Sequence, residues 1–153
     1  MYEWDREIDW NKQLYFDDVI VDSELSPVAI PIDLQRLVME AGANYDFSSI
    51  HHDPDVAHAS GAPGPFANTF FIIGMFERLL REWMGLQGTI TKIGPFRMKI
   101  FNCVEEVVTF RAKVKGKNEE DGKGIVNLDI WAENSKGQSV SGEATVMLPK
   151  ERK

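Results

Sequence analysis

Phe66-Ala67-Asn68-Thr69-Phe70-Phe71-Ile72-Ile73-Gly74-Met75-Phe76 is the stretch whose reading decides the fold, and it runs on through Glu77, Arg78, Arg81 and Glu82 toward Trp83. Pro65 can open a helix here, because its missing N–H costs nothing in the first turn, and Gly85 can end it. The first half is apolar all round. A helix of that kind needs burial on most sides, as when a curved sheet wraps it, whereas the charged second half can emerge into water. Those charges make the stretch too polar for an isolated membrane span.

After Gly88 the chain reads as strand. Thr89 to Phe101, Glu106 to Lys115, Gly124 to Glu133 and Gln138 to Leu148 are each rich in Val, Ile, Thr and Phe. The turns between them carry Asp121-Gly122 and Asn134-Ser135-Lys136-Gly137, residues suited to hairpins. Val108, Phe110, Ala112 and Val114 alternate with polar neighbours, as do Val126, Leu128, Ile130 and Ala132, the pattern of a sheet with one face on a core. Upstream, Tyr15 to Val21 reads as the entry to an edge strand rather than a helix. Pro27 and Pro31 bracket Val28-Ala29-Ile30, and Asp33 stands as N-cap of a helix with Leu34, Leu37, Val38 and Ala41 on one face, weakened at Gly42. Asp53 and Pro54 open a second, short helix carrying Val56, Ala57 and Ala59 and stopping at Gly61. An antiparallel sheet curved around one long central helix is the hotdog arrangement, an α+β architecture, although other α+β layouts share this element order.

The 153 residues, 43% of them apolar, suffice for one core, so a single domain over residues 1–153 is expected. A net charge of −7 without a Lys/Arg stripe argues against nucleic acid as a partner, since binding phosphates needs concentrated positive charge. The single Cys103 has no internal disulfide partner, and the N-terminal residues do not resemble a signal peptide; a cytoplasmic setting with no membrane attachment is the expectation.

The chemistry-bearing residues lie in Asn44-Tyr45-Asp46-Phe47-Ser48-Ser49-Ile50-His51-His52-Asp53. Taken alone, Asp46 and Ser48 can simply cap a turn, and His51 can be a hydrogen-bonded, partly buried histidine. His51, His52, Asp53, Asp55 and His58 also invite a metal reading, but their spacing is not diagnostic and Asp53 has work at a helix start; no metal is expected. Cys103, in a strand with no base identifiable beside it, reads as packing.

This stretch resembles the MaoC-like hydratase/dehydratase family, which includes the (R)-specific enoyl-CoA hydratases. The family signature is Asp-x-Asn-Pro-x-His with an acidic residue two positions later; Asp46, Ser48, Ser49, His51 and Asp53 occupy those places. The likeness continues through Ala57, Gly61, Pro63, Gly64 and Ala67, where the family has Gly-x-Pro-Gly-x-x-Ala-His-Gly, with Asn68 and Thr69 in place of His-Gly. Tyr15-Phe16-Asp17-Asp18-Val19 is similar to the family's opening segment. A narrower variant, Asp-Phe-x-x-(Val/Ile)-His-His-Asp with Asn for the later His, looks like the MaoC-like subunits of bacterial steroid side-chain degradation, in which two different hotdog chains can build one active site.

The resemblance implies hydration of a 2-enoyl thioester, or dehydration of a 3-hydroxyacyl thioester, with Asp46 and His51 as the acid/base pair. It implies a backbone N–H at the start of the hotdog helix, near Thr69, for the thioester oxygen, with Asn68, Gly64 and Ser48 as further substrate-binding positions. Ser48, Ser49 and Thr69 depart from the usual Asn, Pro and Gly. No cofactor is implied. The substrate would be carried on coenzyme A or an acyl carrier protein, and the chain would work as a homodimer or with a second hotdog subunit. A hotdog thioesterase and a non-catalytic partner subunit are the alternatives.

Overall fold

The computed structural model describes residues 7–150. Five strands form one antiparallel sheet in the order β1-β3-β4-β5-β2: β1 (Val28–Pro31), β2 (Thr89–Met98), β3 (Val107–Glu120), β4 (Lys123–Asn134) and β5 (Gly137–Leu148). Three helices accompany them, α1 (Leu34–Asn44), α2 (Pro54–Ala59) and α3 (Thr69–Met84). The fold is α+β and hotdog in plan, with α3 held against the sheet.

The alternation in β3 and β4 faces the core as expected: Val108, Phe110, Ala112, Val114, Val126, Leu128, Ile130 and Ala132 are all buried. From α3 they meet Phe71, Ile72, Met75, Phe76, Leu79, Leu80 and Met84. Phe76 is fully buried, its ring stacked on Phe96 with centroids 5.5 Å apart and edge-on to Phe110 at 5.1 Å. Burying a side chain of this size is worth about 1.5–3 kcal/mol, so this aromatic column anchors the helix to both the inner and the edge part of the sheet.

Several boundaries differ from those expected, and each has a tertiary cause. Tyr15 to Val21 is not an edge strand: Phe16–Asp18 is a single 3-10 turn, and Ile20 and Val21 are exposed. The edge strand is β1, whose Val28 and Ile30 bury themselves while Val28 to Pro31 pair with Phe110 to Val107. Pro31 is tolerated there because an edge strand has one side without ladder bonds. Helix α1 passes Gly42 and closes at Asn44, where Tyr45 turns left-handed (φ 61°). Of its apolar face, Leu37 and Ala41 are buried, whereas Leu34 and Val38 stand exposed.

Helix α3 begins at Thr69 rather than beside Pro65. Residues 65–67 are engaged elsewhere: the Pro65 carbonyl accepts from Val104 N–H (2.9 Å), and Ala67 N–H donates to the Asn102 carbonyl (2.9 Å). For the same reason β2 ends at Met98, three residues early, and frees Asn102 to Val104 to pair with that segment. Strand β3 runs beyond Lys115 to Glu120, through a bulge at Val114/Gly116, as an exposed polar ribbon that carries no apolar alternation to announce it. The short helix α2 ends at Ala59, with Asp53 accepting from Asp55 and Val56 N–H (2.9 and 3.3 Å).

Phe16, almost fully buried, lies across Gly124 in β4, where an added Cβ would overlap its ring. Gly124→Ala is expected to displace the ring and cost about 1–3 kcal/mol, measured as a lower urea midpoint with unchanged slope.

Candidate active site

Asp46 and His51 reach one cleft from the two ends of a short loop. The left-handed Tyr45 turns the chain out of α1, and the Asn44 side-chain oxygen then accepts from Asp46 N–H at 3.0 Å. His51 closes a 3-10 turn, Ser49–His51, and is 5% exposed. Its Nδ1 lies 2.7 Å from the Phe66 carbonyl, and its Nε2 lies 3.3 Å from Asp46 Oδ2. A carbonyl can only accept, so Nδ1 carries a proton and Nε2 is the nitrogen presented to Asp46. In a neutral ring Nε2 is then an acceptor opposite another acceptor. That arrangement repels unless a proton sits between the two or one water donates to both.

Asn68 completes this group. Buried at 4% exposure, it donates from Nδ2 to Asp46 Oδ2 at 2.8 Å, while its Oδ1 accepts from Phe71 N–H at 2.9 Å and caps α3. The helix demands the oxygen end of the amide, so the nitrogen end must face Asp46. One side chain thus joins the helix start to the carboxylate. The preference of Asn for helix N-caps was a visible signal for the first contact; nothing local pointed to the second.

The cleft has a volume of about 350 Å³ and an apolar wall that includes Ile50, Phe66, Phe70, Ile72, Met98 and Phe101. Asp46, His51, Asn68 and Thr69 supply its polar side. A mostly apolar recess with a few convergent polar groups suits a small organic ligand. Thr69 is the first residue of α3 and exposed. The backbone N–H groups of a first helical turn have no intrahelical acceptor and sit at the positive end of the helix dipole. Gly64 and Ser48 stand outside the cleft lining. Gly64 is buried, and its carbonyl lies 3.8 Å from Cys103 Sγ. Ser48 is exposed, and its carbonyl accepts from His51 N–H at 3.2 Å.

Glu40 is the residue that sequence reasoning missed. It lies in α1, accepts from the Asn44 amide, and has its other oxygen, Oε2, buried with no hydrogen-bond partner among the described residues. Burial raises its carboxyl above the usual glutamate range; the His51 imidazole and the Asn68 and Asn44 amides oppose that rise, and the Asp46 carboxylate adds to it. Burial also pushes up the Cys103 thiol, helped by Glu106, so that sulfur is a poor nucleophile. His58 Nε2 lies 2.9 Å from the Pro63 carbonyl and Asp53 is taken up as a cap. Among the described residues no group of three or more His, Cys, Asp or Glu side chains converges as a metal site.

No family model matches the chain. The beta subunit of 3-oxo-4,17-pregnadiene-20-carboxyl-CoA hydratase from Mycobacterium tuberculosis is 30% identical over 129 residues, 84% of this chain and 95% of the subunit. The crystal structure of the ChsH1–ChsH2 complex from the same organism superposes with a TM-score of 0.78 at 26% identity, covering 84% of this chain and 98% of that one. At the level of fold alone, an (R)-hydratase from A. caviae superposes with a TM-score of 0.78 at 22% identity, over 86% and 98% of the two chains. A MaoC-like dehydratase from Rhodospirillum rubrum gives 0.77 at 16% identity, over 92% and 99%. The motif from Asp46 to Asn68 sits in the same fold as these proteins, and the sequence likeness runs through most of the chain: it belongs to the MaoC-like hydratase family of hotdog proteins, alongside the mycobacterial hydratase subunit.

Proposed function

We propose that this chain hydrates a 2-enoyl thioester, or dehydrates a 3-hydroxyacyl thioester, through Asp46 and His51. The observation that carries the reading is the 3.3 Å approach of His51 Nε2 to Asp46 Oδ2 at the polar side of an apolar cleft. Two facing acceptors suit one water that donates to both. As the water oxygen bonds to Cβ of the substrate, the pair takes its proton; the π electrons of the double bond move toward the thioester oxygen and return to form the Cα–H bond with a proton delivered by the same pair. H and OH are then added to one face, and no cofactor enters. Dehydration is the reverse passage through the same transition state.

Negative charge gathers on the thioester oxygen during this step. The N–H groups of the first turn of α3, at Thr69 and Phe70, are the donors suited to it. Asn68 holds Asp46 toward the water, and Phe70, Met98 and Phe101 contact the acyl chain at the mouth. Gly64 and Ser48 lie in the loops on either side of the cleft, outside its lining. The acyl group is carried on coenzyme A or an acyl carrier protein, in the cytoplasm. Among the described residues no helix is long and apolar enough to cross a membrane.

A second hotdog subunit, identical or related, completes the cleft. Strand β2 ends the sheet order with one partner, β5, and apolar Leu34, Val38, Tyr45 and Phe47 stand exposed on the α1 side. Such a patch suits a protein contact. The relative that carries the family assignment is itself named as one subunit of a hydratase. Light scattering is expected to give the active species a mass of two or more chains. A fully active monomer would remove the partner from the mechanism.

The pair is tested with Asp46→Asn and His51→Ala, assayed alone and with any subunit that co-purifies. The substrates are crotonyl-CoA and trans-2-octenoyl-CoA. Each variant is expected to lower kcat by at least about 10²-fold, seen as slower loss of enoyl absorbance with no free thiol released. Release of thiol at the rate of substrate loss would make the chain a thioesterase. Unchanged turnover in both variants would leave it a structural subunit.

A further inference from the structure

Glu40 has no part in the hydration step, yet it stands one side chain away from it. Its two oxygens are used unequally: Oε1 accepts from the Asn44 amide, and Oε2 is buried without a hydrogen-bond partner among the described residues. An unpaired buried carboxylate oxygen is costly to keep, and a leucine would fill similar volume without that cost. Packing therefore gives no reason for an acid here.

The reason lies in what Asn44 does. Its Oδ1 accepts from Asp46 N–H at 3.0 Å, and its Nδ2 lies 3.5 Å from Oδ1 of Asn68, the residue that holds the Asp46 carboxylate. A side-chain amide has a donor end and an acceptor end, and without a constraint it can turn over. If Asn44 turned over, its NH2 would oppose the Asp46 N–H, donor against donor. An acceptor fixed at Glu40 forbids this, because only the NH2 end can face it.

We propose that Glu40 is a positioning residue for Asp46: by accepting from Asn44 it locks the orientation of that amide, and so the backbone and carboxylate that face His51. This rests on the reading of Asp46 and His51 as the acid/base pair. The contacts from Glu40 to Asn44, from Asn44 to Asp46 and from Asp46 to Asn68 and His51 join these side chains into one polar group spanning α1, the loop after it and the start of α3. An error of an ångström in a reacting group can cost about 10²-fold in rate, so the lock has a measurable effect.

The test uses the full chain with E40L, E40Q, N44A, the double variant E40L/N44A, and D46N as control, assayed on trans-2-octenoyl-CoA. E40L is expected to melt no more than about 3 °C below the wild type, since it removes a buried carboxylate, yet to lose about 10- to 100-fold in kcat with KM changed less than about threefold. E40Q retains the acceptor and recovers most of that loss. The double variant is no slower than N44A, because once Asn44 is gone Glu40 has no amide left to orient.

Wild-type kcat in E40L, a melting loss that accounts for the activity loss, or multiplying losses in the double variant would overturn the proposal. Wild-type kcat in D46N would instead overturn the hydration reading beneath it. A readout free of turnover is the exchange of the Asn44 side-chain amide protons with water by NMR. It is expected to be slow in wild type and E40Q and at least about tenfold faster in E40L; equal exchange in all three would refute the lock.

Discussion

A single amide, that of Asn68, ties the long helix to the carboxylate in front of it. Its oxygen is claimed by Phe71 N–H and its nitrogen by Asp46 Oδ2. Because the helix start is itself held by the packing of Phe71, Ile72 and the residues beyond them against the sheet, the position of Asp46 is fixed by the core of the protein rather than by its own loop. The Phe66 carbonyl does the same for His51 from the segment just before the cap. Both members of the pair are therefore referred to one short stretch, residues 66 to 71, which the pairing of Pro65 and Ala67 with Val104 and Asn102 holds in place.

This arrangement explains why the departures from the usual family motif leave a coherent site. Asn68 stands where the family has His, and supplies both a cap and a donor to Asp46. Thr69 stands where the family has Gly. It begins α3 with ordinary helical geometry, and its backbone N–H is the same group whatever its side chain. Ser48 in place of Asn lies on the exposed side of the loop and contributes its carbonyl to the turn that carries His51.

How much of this was legible in the sequence depended on whether the cause was local. Caps at Asp33 and Asp53 were readable because each bonds N–H groups within three residues of itself. The alternation of β3 and β4 was readable because a sheet face imposes period two on every buried residue. The start of α3 was misread because Pro65 is a good first helical residue, and only the pairing with residues 102 to 104 overrides it. The first edge strand was misplaced because Val19 to Val21 and Val28 to Ile30 look alike until one knows which of them reaches Phe110. Within the site, the approach of Asp46 to His51 spans five residues and could be suspected. The link from Asp46 to Asn68 spans 22 residues, and Glu40 acts across an element boundary, so neither leaves a pattern along the chain.

The ribbon formed by the far ends of β3 and β4 has a practical side. Gly116 to Lys123 is largely polar and exposed, and it closes at Asp121-Gly122, both with positive φ. The opposite end of β3, near Glu106 and Asn134, is the end that reaches Asn102 beside the cleft. At roughly 3.3 Å of rise per residue, a strand of that length separates the two ends by about 40 Å. A fluorophore or affinity peptide spliced into that hairpin tip would report on or immobilise the molecule from a place that neither the polar group around Asp46 nor the aromatic column at Phe76 would feel.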